Sequence, residues 1–507
     1  MNAESLHTPE ASASMQEQAV EVLVMNFADL CTKGAALQLD HYQRPYVWDS
    51  LKVNQLLDDL HEFKKSNKEQ VYYLGTVLLH RHDEKQARFV IDGQQRLSTL
   101  AVLHHALHGS LPQGIAFHYR SPISARNLRE TRRLIAERDP AKLDPSIFDQ
   151  LRFTVITVER EDLAFTFFDT QNHRGVPLNA TDLLKAYHLR AVSGTDKTDT
   201  EALQKICAER WESVQAVGPQ RLVNQRQDFA PILFNHFLWR ARNWRGNNEI
   251  VREDHERLLD TFQTGSIKAE HSDVIPLYPG HHNQFASSLT LQGSGDYQLA
   301  LLPVQVGGSP ARLPFTLRQP IHRGVGFFLY AQKYAALLDE LFYQDEGGCR
   351  EELKALRHFY QQVVSVNAYY LQELFKLALL MYVDRFGYQQ LLTVAVGLEL
   401  VLGGLRLEKS YIFQASPLKY LREAPYNLLD VISSAYLPQE VMDFLQSEIE
   451  RSEGYKKAAG ITRGHGVQGR YLDALLEYFD LDSVPGGNNW ALSLVKDEKA
   501  TCNMIQN

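Results

Sequence analysis

Arg88-Phe89-Val90-Ile91-Asp92-Gly93-Gln94-Gln95-Arg96-Leu97-Ser98-Thr99-Leu100 is the stretch on which the reading of the fold turns. An apolar, β-branched run stops at Asp92-Gly93, and apolar residues then recur at Leu97, Leu100, Ala101 and Leu103. The pattern predicts a strand, a tight turn and a helix over 95–108. A turn so placed sits at a helix N-terminus, where the unpaired N–H groups of Gln94, Gln95 and Arg96 and the positive end of the helix dipole favour an anion. Arg96 adds a guanidinium fork suited to phosphate. An ordinary Asp-Gly turn ahead of a capped helix has the same local sequence, so the neighbouring segments decide.

Working outward, a short strand is expected near 35–39, followed by Tyr42-Gln43-Arg44-Pro45-Tyr46-Val47-Trp48. Pro45 biases Arg44 to an extended conformation and makes this a fixed loop. Asp49 or Ser50 can cap the next helix, whose apolar positions Leu51, Leu56, Leu57, Leu60 and Phe63 have helical spacing. The run 71–79 and the strand ending at Ile91 flank a polar turn and predict a hairpin. A short strand over 115–119, an Arg-rich helix carrying Arg126, Arg129, Arg132 and Arg133, and a strand over 153–158 complete a small α+β unit. Helices over 162–172 and 182–192 follow, the second capped by Asn179 or Thr181. From 199 to 245 the pattern is helical, 246–320 is rich in Gly and Pro, and long amphipathic helices return after 321.

Composition narrows the class. The chain has 507 residues, 44% hydrophobic and 22% charged, as in a globular protein of two to four domains. Net charge is −8, so any nucleic-acid contact must use local patches. Cys31, Cys207, Cys349 and Cys502 are far apart, which argues against a zinc or redox motif and for a reducing cytoplasm. The apolar region 371–405 is interrupted by Lys376, Asp384, Arg385 and Glu399, which predicts buried bundle helices rather than a membrane span.

Three segments in this order, Gln43-Arg44-Pro45-Tyr46, Asp92-Gly93-Gln94-Gln95-Arg96 and Phe168-x-x-x-Asn172-x-x-Gly175, resemble the ParB/sulfiredoxin-like N-terminal domain of GmrS, the NTP-using half of GmrSD-type, modification-dependent restriction systems. The resemblance covers about residues 20 to 190. It implies an α+β ParB-like domain over 18–195 after a flexible N-terminus at 1–17. A helical extension over 196–245, an irregular linker or insertion over 246–320 and a helical C-terminal domain over 321–507 complete the expected organisation. It further implies a nucleotide pocket formed by Gln43, Arg44, Asp92, Gly93, Gln94, Gln95, Arg96, Asn172, Arg174, Gly175 and Lys185, with Asp92 and Arg96 as the catalytic pair.

Several roles stay open on the residues themselves. Asp92 can cap the turn or hold Mg²⁺ beside phosphates, and Tyr42, Tyr46 and Trp48 can fill the core or stack on a base. Asn172 and Gly175 also suit a helix end. Ser98 and Thr99 are lesser candidates, as are Arg240, Arg242 and Arg245 beside Trp239 and Trp244, and the glycine-flanked Arg463, His465 and Arg470. His104, His105, His108 and the His281-His282 pair lack the companions of a metal site. No His-centred nuclease segment stands after residue 250. The expected function is therefore an NTP-binding and NTP-hydrolysing subunit, using GTP, ATP, UTP or CTP with Mg²⁺, that acts on foreign or modified DNA with an HNH-type nuclease partner. Self-association is a further option. The rival expectations are a nucleotide-gated DNA-binding adaptor without turnover and a ParB-like nickase.

Overall fold

The computed structural model describes residues 20–40, 43–66, 70–119, 121–138, 143–159, 179–218, 228–247, 251–268, 275–278, 280, 287–292, 294, 296–301, 308–344, 350–486 and 489–496. The contacts divide the chain into two units, Met1–Leu178 and Asn179–Asn507. The expected N-terminal tail, the helix over 162–172 and Tyr42, Asn172, Arg174, Gly175 and His281-His282 lie outside the described residues.

The first unit is built on a mixed five-stranded sheet. Its strands are β1 (Val20–Asn26), β2 (Ala36–Gln38), β3 (Tyr72–His82), β4 (Ala87–Asp92) and β5 (Leu151–Val158), in the order β1-β5-β3-β4-β2. β3 and β4 form the expected antiparallel hairpin, with Arg81 opposite Arg88 and Leu79 opposite Val90. β5 runs parallel to β3, and its pairing shifts register between Tyr73 and Thr76, around Gly75. Helices α1 (Phe27–Thr32), α2 (Ser50–Ser66), α3 (Gln94–His108), α4 (Pro122–Glu137) and the short α5 (Ile147–Gln150) complete the unit. Asp49 caps α2, its Oδ1 accepting from Lys52 N at 3.0 Å. The core joins Leu37, Val77, Leu79 and Val90 of the sheet to Val53, Leu57 and Leu60 of α2 and to Leu97, Leu100 and Leu103 of α3. Each fully buried side chain of this size contributes about 1.5–3 kcal/mol.

Two local readings change. The expected strand over 115–119 is reduced to one bridge between Leu37 and Ile115. Leu37 N donates to Gly114 O and Ala116 N to Leu37 O; beyond that point Tyr119 turns away to bond Ser98. β1, which no sequence pattern was assigned, is an edge strand against β5.

The second unit is mostly helical. Its first helix, Ala180–Arg190, is capped by the Asn179 side chain, which accepts from Thr181 N, and it packs with Lys197–Gln215 and Val325–Leu338. The apolar region 371–405 becomes the helices Tyr369–Phe386 and Leu391–Glu408. Gly387 and Gln390, both at positive φ, end the first and start the second. No helix among the described residues is long and apolar enough to cross a membrane. Within 246–320 there are a short helix, His255–Leu259, and a hairpin of Ser287–Leu291 with Tyr297–Leu301.

Candidate functional site

The turn between β4 and α3 is as the sequence predicts, and its geometry has identifiable causes. Gly93 is the N-cap of α3 at φ 96°, in the left-handed region, and no side chain caps the helix. A Cβ at this position would stand 3.0 Å from Val77 Cγ2 on the neighbouring strand, so both conformation and space require glycine. The first turn of a 15-residue helix thus presents backbone N–H groups with no intrahelical partner.

Three glutamines hold the proline loop against this turn. Gln43 Nε2 donates to Ile91 O at 3.1 Å, Gln94 Nε2 to Arg44 O at 3.0 Å and Gln95 Nε2 to Pro45 O at 3.0 Å. Gln95 Oε1 also accepts from Val47 N at 2.8 Å and Trp48 N at 3.2 Å. Tyr46 is fully buried and anchors the loop from the other side. Its hydroxyl meets Thr99 Oγ1 at 2.7 Å and Thr131 Oγ1 at 3.1 Å, and its carbonyl accepts from Asn127 Nδ2 at 2.9 Å. Between core filling and base stacking, Tyr46 takes the core. Ser98 and Thr99 hydroxyls donate back to Gln94 O and Gln95 O, so they too are structural bonds of the turn.

The charged residues divide. The guanidinium of Arg44, half-buried on the loop, makes no hydrogen bond or ion pair among the described residues. Asp92 is half-exposed and has Arg96 Nη2 at 3.6 Å. Arg96 is otherwise engaged: Nη2 donates to Thr76 O at 2.6 Å and Nη1 to Leu74 O, the two carbonyls that flank Gly75 where the β3 register shifts. The Arg96 guanidinium thus pins a strand irregularity. Arg96→Ala should therefore lower the unfolding free energy by about 2 kcal/mol, because charge-assisted hydrogen bonds are lost; urea denaturation measures this. An unchanged midpoint would show that these bonds contribute nothing.

Lys185 lies in the second unit, buried, with Nζ 3.6 Å from Glu212 Oε1. Asp228 shares this pocket of charge. Burial first, then Asp182 and Glu212, push its carboxyl up to about 7, while Lys185 pulls it down. Two of the arginines near the aromatics are also internal, while Arg245 is exposed. Arg240 Nη2 bonds Glu253 Oε1 at 2.5 Å, Arg242 Nη1 bonds Leu317 O and Gln319 O, and Trp239 and Trp244 are buried. Arg463 is tied to Asp473 at 2.6 Å.

One pairing has no counterpart in the sequence reading. His236 Nδ1 stands 2.5 Å from Glu373 Oε2. The histidine lies on the π-helical turn Leu233–Trp239, a geometry common at functional sites. The two residues are 137 positions apart, so only the fold joins them. Among the described residues no group of three or more His, Cys, Asp or Glu side chains is placed to hold a metal ion.

A mixed sheet whose β4–α3 turn offers an uncapped helix end, bracketed by a proline loop, defines the class, and comparison with known families agrees. Residues 27–189 match the model described as the GmrSD restriction endonuclease N-terminal domain, and residues 203–460 match a family of unknown function, DUF7834. The chain carries a GmrSD-type N-terminal domain and belongs, through just over half of its length, to the DUF7834 family. Comparison with curated proteins finds no match.

Proposed function

We propose that the first unit binds the phosphates of a nucleoside triphosphate at the Gly93 turn and hydrolyses it, as the switch of a restriction system acting on foreign, including modified, DNA. The observation that carries this reading is the uncapped N-terminus of α3, to which Gln94 ties the backbone of Arg44, a residue whose guanidinium has no partner among the described residues. N–H groups of the first turn and Arg44 would together neutralise phosphate charge, which is most of what phosphoryl transfer asks of a protein. Asp92 suits a Mg²⁺ ion carried by the nucleotide, because such ions use one or two carboxylates and keep several waters. Its carboxylate is half-exposed, with one cation at 3.6 Å. Bound there, Mg²⁺ supplies charge neutralisation on the phosphate oxygens. Gln43, Gln94 and Gln95 act by positioning, since their amides hold the loop that carries Arg44. Cleavage of DNA is assigned to an HNH-type partner.

Arg44→Ala tests the pocket cleanly, because the Arg44 guanidinium has no bond to lose among the described residues and the Gln94 bond to its carbonyl is kept. NTP affinity should fall about tenfold, the loss of one charge-assisted contact, while the unfolding midpoint stays put. Unchanged affinity for all four NTPs would sink the reading. Binding without phosphate release would favour the adaptor, and plasmid nicking by the chain alone, without the partner, would favour the nickase.

A further inference from the structure

The surface of the second unit carries a pair of rings that nothing in the fold explains. Tyr411 and Phe413 are 77% and 68% exposed, yet their rings are near-parallel, 17° apart in plane, with centroids separated by 6.4 Å. Residues two apart on an extended stretch stand about 6.6 Å from each other, and a planar base stacked on both sides needs roughly twice the ~3.4 Å rise per nucleotide of a DNA strand, so the backbone sets the two rings at a spacing that one base fits.

The loop that bears the rings is fixed before any ligand arrives. Gln468 Nε2 donates to Leu407 O at 2.6 Å and Ser410 Oγ to Gln468 Oε1 at 3.1 Å. Phe413 N donates to Ser416 Oγ at 3.0 Å, and the Arg406 guanidinium donates to Lys409 O. The segment that carries the rings holds more cations than acids. Lys409 is exposed and without a partner among the described residues. Arg406 is buried, its Nε unpartnered, and no described carboxylate pairs with it. Gln468 belongs to the first turn of the helix Gly466–Tyr478, which no side chain caps. Glu408 is the one acid between 405 and 422. On a chain of net charge −8, this local excess is complementary to a phosphodiester backbone.

We propose that Tyr411 and Phe413 form a clamp for one base of single-stranded or locally unpaired DNA, with Lys409 and Arg406 attracting the adjoining phosphates. This deepens the DNA-directed reading above and is independent of the Gly93 turn, so it is tested without NTP. The purified full-length chain is titrated into fluorescein-labelled dT20 and into an abasic strand of the same length. Wild type should prefer dT20, and Tyr411→Ala/Phe413→Ala should lose about tenfold of that affinity while binding the abasic strand as before. Tyr411→Trp should retain binding, with tryptophan fluorescence quenched on adding dT20. Because both side chains are exposed, circular dichroism of the double variant should match wild type. A wild type that binds dT20 no better than the abasic strand overturns the clamp, as does a preference for duplex or an equal loss on both strands. NTP binding that survives any of these outcomes leaves the Gly93 reading standing.

Discussion

Gly93→Val should both destabilise the first unit and abolish nucleotide binding. Gly93 holds φ 96°, a region that a β-branched residue reaches only at a cost of about 1–3 kcal/mol. A Cβ there would already stand 3.0 Å from Val77 Cγ2, and the two methyl groups of valine have to go further into β3 or out over the helix end. The first course strains the sheet and the second covers the N–H groups proposed to meet phosphate. Calorimetric titration with each NTP in the presence of Mg²⁺, beside urea denaturation, separates the two effects. The expected result is no detectable binding and a midpoint lowered in keeping with at least ~1 kcal/mol. Normal binding by a normally stable Gly93→Val protein would show that the turn is only a turn. Set against Arg44→Ala, which should weaken binding alone, and Arg96→Ala, which should cost stability, the variant distinguishes helix end, free cation and structural pin.

Local signals account for most of the first unit's described part. The hairpin β3–β4, the helices α2 and α3 and the strand β5 each announce themselves by periodicity or by β-branched runs bounded by turns, and each is found near its expected place, β3 running on to His82 beyond its expected end at Leu79. β1 was missed although Val20-Glu21-Val22-Leu23-Val24 is rich in β-branched residues, because an edge strand with exposure on both faces shows no clean alternation. The structure gives the candidate site residues different surroundings that their sequence does not distinguish. Arg96 and Arg44 are chemically equal in the sequence, but the carbonyls left open by the register shift around Gly75 claim the first, while the guanidinium of the second has no partner among the described residues. That register shift depends on how β3 meets β5, which lies more than 70 residues away in the chain. The pairing of His236 with Glu373 was invisible for the same reason, since neither residue has a neighbour in sequence that marks it.

Glu399→Gln should change how the stability of the chain depends on pH. Glu399 lies on the helix Leu391–Glu408, 1% exposed, and Asn367 Nδ2 donates to its Oε1 at 2.7 Å. Burial pushes its carboxyl from 4.5 up to about 8, with the Asn367 amide and the Tyr471 hydroxyl pulling the other way. The folded state therefore keeps a proton that the unfolded chain releases near 4.5. The stabilisation tied to that proton is complete below about 4.5 and is lost as pH rises through about 8. Each pH unit in that window is worth at most about 1.4 kcal/mol, so the loss between pH 5 and pH 8 is on the order of a few kcal/mol. Glutamine keeps the hydrogen-bonding outline and cannot ionise. Urea unfolding at pH 5, 6.5 and 8 should give a variant close to wild type at pH 5 and clearly more stable at pH 8. Asp228, pushed up to about 7, adds a slope of the same sign to both proteins, so the difference between the two curves isolates Glu399. Parallel curves across the range would mean that Glu399 is charged in the folded protein, held by partners strong enough to offset its burial.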